Sequence, residues 1–428
     1  MDSLRKAIKL LARTILPWPI RRLIYRRLAY RYIAKLHRPR DASRKTILIV
    51  NHFFDQDVQA LARANKNYNL VVIDPTRLFR GARLFFSDAV EGLMAPYDKT
   101  DPHFLGEYRR ECKLILENLV RFYNPSLIIT PSDVFYWIRE MIAVARDRVM
   151  ATVVIDKEGT ISPYDFDAEA KRIKDFAPFM SEHIFVWSER QRESWGKAGV
   201  GNGRITVIGQ PRSDLLHHER HSDLNAYFGR WQPLITFFSY MDNAYIPVEL
   251  IQAERLDWGE MRQQSHDEIY RMACVHPEFN FIIKTHPQQS DLDHLRQKYE
   301  RENLRIIGGA AVAYELLQRS ELIIAFQTTV LIEAMLVGRR AIYTAWDPHI
   351  RDLQEHLLPF HSAGEIVVAD SSQMLWDVAD RFLSGDGRDF DFSEPEVARR
   401  KEFVSRYLYQ ADGHASERFL NALGRFLS

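Results

Sequence analysis

With 428 residues, 46% hydrophobic and 27% charged, the chain is that of a folded protein too long for one ordinary core, so two domains are expected. Its two cysteines, Cys112 and Cys274, lie far apart and in no CxxC pattern, which excludes a disulfide scaffold and a cysteine zinc site and fits a reducing compartment. The formal net charge of +1 conceals an imbalance: residues 1–44 hold 13 lysines and arginines against Asp2 and Asp41, about +11, leaving about −10 on the remainder.

The first predicted elements lie in that basic segment. Leu4, Ile8, Leu11 and Ile15 recur at helical spacing, with Arg5, Lys6, Lys9 and Arg13 largely elsewhere. Pro17-Trp18-Pro19 breaks the run. A second helical stretch then carries Ile20, Ile24, Leu28 and Tyr32 among five arginines. The charge-free gap between Arg13 and Arg21 is seven residues, against the roughly 20 that a membrane span needs, and no signal-peptide core is present. A cationic amphipathic segment bearing Trp and Tyr reads as a helix on an anionic membrane surface through residues 1–36. A helix docked on its own protein, and a nucleic-acid arm or organellar transit peptide, are the alternatives; no nucleic-acid partner is expected.

From residue 45, short runs rich in Val and Ile alternate with helical stretches. Strands are expected at 46–52, 69–75, 126–133, 151–159, 183–189 and 204–212, with helices at 106–122 and 134–148. Uninterrupted apolar runs are the mark of parallel strands covered on both faces. A polar linker at 213–232 precedes a second series of strands at 233–240, 279–287, 304–309, 321–329, 340–346 and 365–370. Helices are expected at 261–274, 311–319, 330–338 and 371–384, and one or two more in 395–426. The fold class is therefore α/β, with two Rossmann-like doubly wound domains at 45–212 and 233–394.

In such sheets ligands bind beyond the carboxyl ends of the strands, so polar residues there are the candidates. In the first half these are Asn51-His52, then Asp133, then Asp156 and Glu158 before Gly159. A partly desolvated carboxylate at the last position can deprotonate a hydroxyl; pairing with a nearby Lys or Arg is its plainer use. Glu158 is preferred to Asp156 as nearer the glycine turn, with His52 as the alternative base. Arg212, after "VIGQP", can reach a phosphate or pin the linker.

In the second half "IIKTHPQQ" places Lys284 and His286 at one strand end. "AFQTTVLIEAM" places Gln327, Thr328 and Thr329 where another strand becomes a helix, with Glu333 following. Amide groups at a helix start, two hydroxyls, an imidazole and a lysine make an anion site, and Glu333 can accept from a ribose diol. An ordinary N-cap and a turn histidine are the plainer readings. The two motifs are expected at adjacent strand ends facing one cleft.

"KTHP", "QTTVLIEAMLVGRRAI", "VIGQPRSD" and "YQADGHASERFL" together resemble the GT-B bacterial surface-carbohydrate glycosyltransferases, of capsule and Kdo type, with CDP-glycerol glycerophosphotransferases similar. The resemblance covers about residues 150–426. It implies two domains facing across a cleft, a nucleotide donor held by the C-terminal domain through His286, Thr328, Thr329 and Glu333, an acceptor on the N-terminal domain, and last helices, 395–428, crossing back to it. Retaining enzymes of the group with two glutamates eight apart would place the second at Ala325, so the stereochemical outcome stays open. No metal and no cofactor is expected. The expected activity is transfer of a sugar from a CMP-, CDP- or UDP-linked donor to a surface polysaccharide or lipid-linked glycan, at the cytoplasmic face of a membrane. Glycerophosphate transfer, sugar-nucleotide 2-epimerisation and a non-catalytic scaffold are the alternatives.

Overall fold

The computed structural model describes residues 17, 19–20, 23, 34–36, 41–51, 54–74, 102–157, 162, 165–217, 225–229, 232–246, 251, 256–287, 289–309 and 313–427. The chain divides into two compact units: residues 1–158, 167–208 and 416–428 in the first, 159–166 and 209–415 in the second.

The first unit is built on a seven-stranded sheet. Its strands are β1 (Ala34–Leu36), β2 (Thr46–Val50), β3 (Asn69–Ile73), β4 (Pro125–Thr130), β5 (Ala151–Ile155), β6 (His183–Val186) and β7 (Ile205–Val207), in the spatial order β1-β3-β2-β4-β5-β6-β7. All pairs are parallel except β1–β3. The helices include α1 (Asp55–Ala64), α2 (Pro102–Tyr123), α3 (Tyr136–Asp147), α4 (Asp165–Phe176) and α5 (Glu189–Lys197).

The period of two along a strand sorts each run between two cores. Leu48, Val50, Ile128 and Val154 pack with Tyr108 and Cys112 of α2 and with Trp137 and Met141 of α3. Ile47, Ile49, Leu127 and Ile155 point the other way, into a cluster with Phe185 and the C-terminal Phe419, Leu420, Leu423 and Leu427. Each such aliphatic side chain contributes about 1.5–3 kcal/mol when fully buried. This two-sided demand explains why the runs look continuous in sequence.

The basic N-terminal segment departs from expectation at one place. Ala34–Leu36, inside the stretch expected to be helical, forms a strand antiparallel to β3, with Ala34 opposite Ile73. Without it β3 would end the sheet with its outer amide and carbonyl groups unpaired, and strand pairing satisfies them. Pro19, Ile20 and Leu23 are helical, and Ile20 and Leu23 are 43% and 67% exposed. The rest of the predicted amphipathic helix lies outside the described residues. Among the described residues, no helix is long and apolar enough to cross a membrane.

The second unit holds a six-stranded, all-parallel sheet: β8 (Leu234–Phe238), β9 (Asn280–Lys284), β10 (Leu304–Ile307), β11 (Ser320–Ala325), β12 (Arg340–Thr344) and β13 (Val367–Ala369), ordered β10-β9-β8-β11-β12-β13. The chain runs outward from β8 to β10, then returns to the other side of β8 at β11. The switch point between β8 and β11 opens the crevice where doubly wound sheets take ligands. Helices α6 (Gly259–Val275), α7 (Leu292–Tyr299), α8 (Ala313–Arg319), α9 (Thr329–Leu336), α10 (Ser372–Leu383) and α11 (Glu394–Leu408) cover it.

Local chemistry sets several helix ends. Ser371 Oγ accepts from the Met374 amide. Ser393 and Glu396 form a reciprocal capping box before α11. Gly338, one residue beyond the Val337 cap of α9, has φ +66°, which glycine adopts without a Cβ clash. Helix α11 lies in the second unit and donates to α9, Arg400 Nη1 to Met335 O at 2.9 Å; the chain from Ser416 belongs to the first unit.

Candidate functional site

The residues singled out in the second half of the sequence gather around the carboxyl ends of β8, β9 and β11. Contrary to the expectation of adjacent strand ends, Lys284 and Gln327 do not sit on neighbouring strands: β8 lies between β9 and β11. The reversal of chain direction at β8 is invisible in the order of the motifs. Its consequence is that Ser239 and Tyr240, which follow β8, stand between them.

Thr328 is the N-cap of α9, and its side chain accepts from the Val330 amide at 3.3 Å. Its extended backbone, φ −149°, hands the chain from β11 to the helix. Over the first turn lies Arg212. Its Nε donates to Glu333 Oε1 at 3.0 Å and its Nη2 to Thr329 Oγ1 at 3.3 Å. Glu333 is 7% exposed. The Gln210 side-chain amide completes the cluster, donating to Glu333 Oε1 at 3.2 Å and accepting from Arg212 Nη2 at 3.0 Å. Gly209, at φ +87°, makes the turn that brings Gln210, Pro211 and Arg212 back over the helix. One guanidinium, one carboxylate, two threonines and the positive end of a helix are thus drawn together.

Gln327 has φ +31°, rare for a residue with a Cβ. Its side chain explains the cost: Nε2 donates to Tyr343 OH at 2.7 Å and Leu358 O at 3.0 Å, and Oε1 accepts from the Leu358 amide at 2.8 Å. The amide is fully engaged in bracing the loop at Leu358. What Gln327 offers a ligand is therefore its backbone.

Lys284 is 4% exposed and donates to Thr285 O at 2.6 Å. Burial lowers its pKa to about 8. The turn that follows is tied down by a chain of hydrogen bonds. The His286 amide donates to Gln289 Oε1, Gln289 Nε2 to Ser239 Oγ at 3.3 Å, and Ser239 Oγ lies 3.0 Å from His266 Nε2. His266, buried on α6, has its pKa lowered to about 3, first by burial and then by Arg262. Its ring is therefore neutral at ordinary pH, and one hydrogen bond joins its Nε2 to the Ser239 hydroxyl. The His286 ring itself is exposed, at the tip of the turn. Sequence reading missed Ser239, Gln210 and His266. "FFSY" after an apolar run was the available signal for the first; His266, mid-helix, carried none.

The candidates of the first unit divide differently. Glu158 and His52 lie outside the described residues. Asp156 follows β5, is 6% exposed, and its Oδ2 accepts from Gln191 Nε2 at 2.7 Å and Trp195 Nε1 at 2.6 Å, anchoring α5. Asp133 follows β4. Its Oδ2 accepts from the Met180 and Ser181 amides at 2.8 and 2.9 Å, and burial pushes its pKa up. Asn51 follows β2 and donates to Asp55 Oδ1 at 2.6 Å. The order of this sheet reverses between β2 and β4, so Asn51 and Asp133 flank its switch point.

Two Rossmann-like sheets, one per unit and parallel apart from β1, with a polar cluster at the carboxyl ends of the second, define an α/β protein of GT-B-like fold. Solved structures share that fold along almost the whole chain. An S. aureus MnaA–UDP co-structure is 14% identical over 90% of this chain and 97% of that one, with a TM-score of 0.53. UDP-GlcNAc 2-epimerase from Neisseria meningitidis bound to UDP-GlcNAc is 12% identical over 89% and 100%, TM-score 0.52. The Methanocaldococcus jannaschii UDP-GlcNAc 2-epimerase is 14% identical over 89% and 99%, TM-score 0.52. At these identities the likeness is one of fold. No family model and no curated protein matches the sequence.

Proposed function

We propose that this chain is a nucleotide-sugar-using enzyme, and within that class a glycosyltransferase whose second unit holds the donor nucleotide. The observation that carries the reading is the cluster of Arg212, Gln210, Thr329 and Glu333 over the first turn of α9, at the switch point of a 3-2-1-4-5-6 sheet. Amides at the start of α9, the Thr328 and Thr329 hydroxyls and Arg212 provide donors for a phosphate, and Glu333 provides an acceptor for ribose hydroxyls. Lys284 and His286 add donors from the β9 side. As the bond to the sugar breaks, negative charge grows on the departing phosphate, and fixed donors there lower the barrier.

Attack needs a base at the acceptor hydroxyl. Asp156 is committed to Gln191 and Trp195, so the role is proposed for Glu158, with His52 second. The exposed Ile20 and Leu23 beside a cluster of arginines support membrane attachment, and with it a lipid-linked or polymeric glycan acceptor. Epimerisation is the second reading, favoured by the fold neighbours described as UDP-GlcNAc 2-epimerases. Glycerophosphate transfer from CDP-glycerol uses the same donor contacts.

Calorimetry with UDP, UMP, CDP and CMP is the first test, and failure of all four to bind would remove the enzyme reading. Incubation of a binding nucleotide's sugar derivative, with and without membrane glycan extract, then separates the reactions. Release of a free epimer without acceptor identifies an epimerase; label entering glycan identifies a transferase. Glu158→Gln is expected to abolish turnover while leaving nucleotide affinity unchanged.

A further inference from the structure

A pocket of about 710 Å³ opens at the carboxyl ends of β12 and β13, wholly within the second unit and to one side of the β8/β11 switch point. Its volume is that of a small-ligand site. The floor is apolar and rigid: Tyr343 and Leu358 are 3% and 1% exposed, and the Tyr343 ring stacks on Phe326 at 5.8 Å. Trp346 stands in the wall, its indole held by a 2.7 Å bond from Nε1 to Gln264 Oε1. Gln327 forms the brace between this pocket and the start of α9, since its amide bonds both Tyr343 and Leu358.

The rim is polar and uncommitted. Among the described residues, Arg351 and Asp352 line it with no hydrogen-bond or ion-pair partner, and the Asp370 carboxylate engages only its neighbour Ser371. With Asp347, three carboxylates face one guanidinium, which disfavours phosphate and other anions. Fixed aromatic rings below, with acceptors and a donor fork at the rim, suit a ligand with an apolar face and hydroxyls at its edge.

We infer that this pocket is a saccharide site taking uncharged sugar residues. The inference rests on the nucleotide-sugar reading in one respect, that such an enzyme meets glycans; the pocket's chemistry supplies the rest. The ring of a pyranose would lie against Trp346, with its hydroxyls donating to Asp352 and Asp370 and accepting from Arg351. The site is distinct from the phosphate cluster on α9, and the two are joined through Gln327.

Saturation-transfer NMR with lactose, cellobiose, maltotriose and diacetylchitobiose tests it on the full chain, alongside UDP calorimetry and thermal melting. At least one saccharide is expected to receive saturation. That signal is expected to fall at least tenfold in Trp346→Ala and in the rim double variant Arg351→Ala/Asp352→Asn, with UDP affinity unchanged within twofold and UDP failing to displace the sugar. If Trp346→Ala does not fold, the exposed rim variant decides alone. The inference is overturned if no saccharide in the panel receives saturation, or if the folded variants keep the wild-type signal. Nucleotide binding without saccharide binding defeats this site and leaves the donor reading standing; saccharide binding without nucleotide binding defeats the donor reading alone.

Discussion

Arg212 and Glu333, 121 residues apart in sequence, meet at 3.0 Å over the first turn of α9, both largely withdrawn from solvent. The pair holds the strand-end cluster together, and removing one partner strands a buried charge. Arg212→Met is expected to cost about 3–5 kcal/mol and to weaken UDP binding at least tenfold. In Arg212→Met/Glu333→Leu the stability loss should largely disappear while the binding loss remains. Paired denaturation and calorimetry read both; recovery of binding in the double variant would show that the pair serves stability alone.

Lys284 gives the site a pH signature. Its pKa is about 8 in the folded protein against 10.5 for an ordinary lysine. Between those values the unfolded chain binds more protons, so stability rises with pH from about 8 to 10.5 and is lost as pH falls through that window. Lys284→Met should abolish the rise. A bound phosphate favours the protonated amine, so UDP affinity is expected to decline above pH 8 and to become flat there in Lys284→Met. A wild-type affinity that does not change between pH 7 and 9.5 would place Lys284 away from the phosphate.

Gln327 joins the start of α9 to the loop at Leu358. Gln327→Ala removes three side-chain hydrogen bonds and leaves the Leu358 amide and carbonyl without them. The expected loss is about 2–4 kcal/mol, with hydrogen exchange accelerated first at residues 357–361. Gln327→Gly relieves the φ of +31° yet loses the same bonds, so it should be nearer the alanine variant than the wild type. Wild-type protection of the Leu358 amide in either variant would argue against the brace.

Two buried histidines are expected to make both units acid-sensitive. His183 is lowered to about 4, first by burial and then by Arg425 and Arg204; His266 is lowered to about 3. Each is neutral when folded and titrates near 6.5 when unfolded. The stability they contribute is complete above about pH 6.5 and is lost as pH falls toward 4 for His183 and 3 for His266. His183→Gln should flatten the melting temperature of the first unit between pH 6.5 and 4, and His266→Gln that of the second. Unchanged slopes would move the acid response to other groups.

Much of the sheet architecture was legible because parallel strands buried on both faces must be apolar throughout; all twelve expected runs are strands. The helices α1, α4, α5 and α7 were not given bounds, because they carry few large apolar side chains: "ERQRESWGK" of α5 buries only Gln191, Ser194 and Trp195. β1 escaped because three residues in an arginine-rich segment carry no period; their strand state comes from β3, which needed a partner.

What the sequence determined by itself was local: strands from unbroken burial, helix starts from Thr328, Ser371 and Ser393, a stop at Gly338, and the polar character of the strand ends. What only the tertiary structure decided was which strand ends share a crevice and which polar groups remain uncommitted. Strand order follows from packing across the sheet, which no local pattern encodes, and so β8 came to lie between "KTHP" and "QTT". Hydrogen-bond partners are chosen by the same long-range packing. That is why Asp156 is spent on Trp195 and Gln327 on Leu358, while Arg351 and Asp352, unmarked in the sequence, have no partner among the described residues at the rim of a pocket.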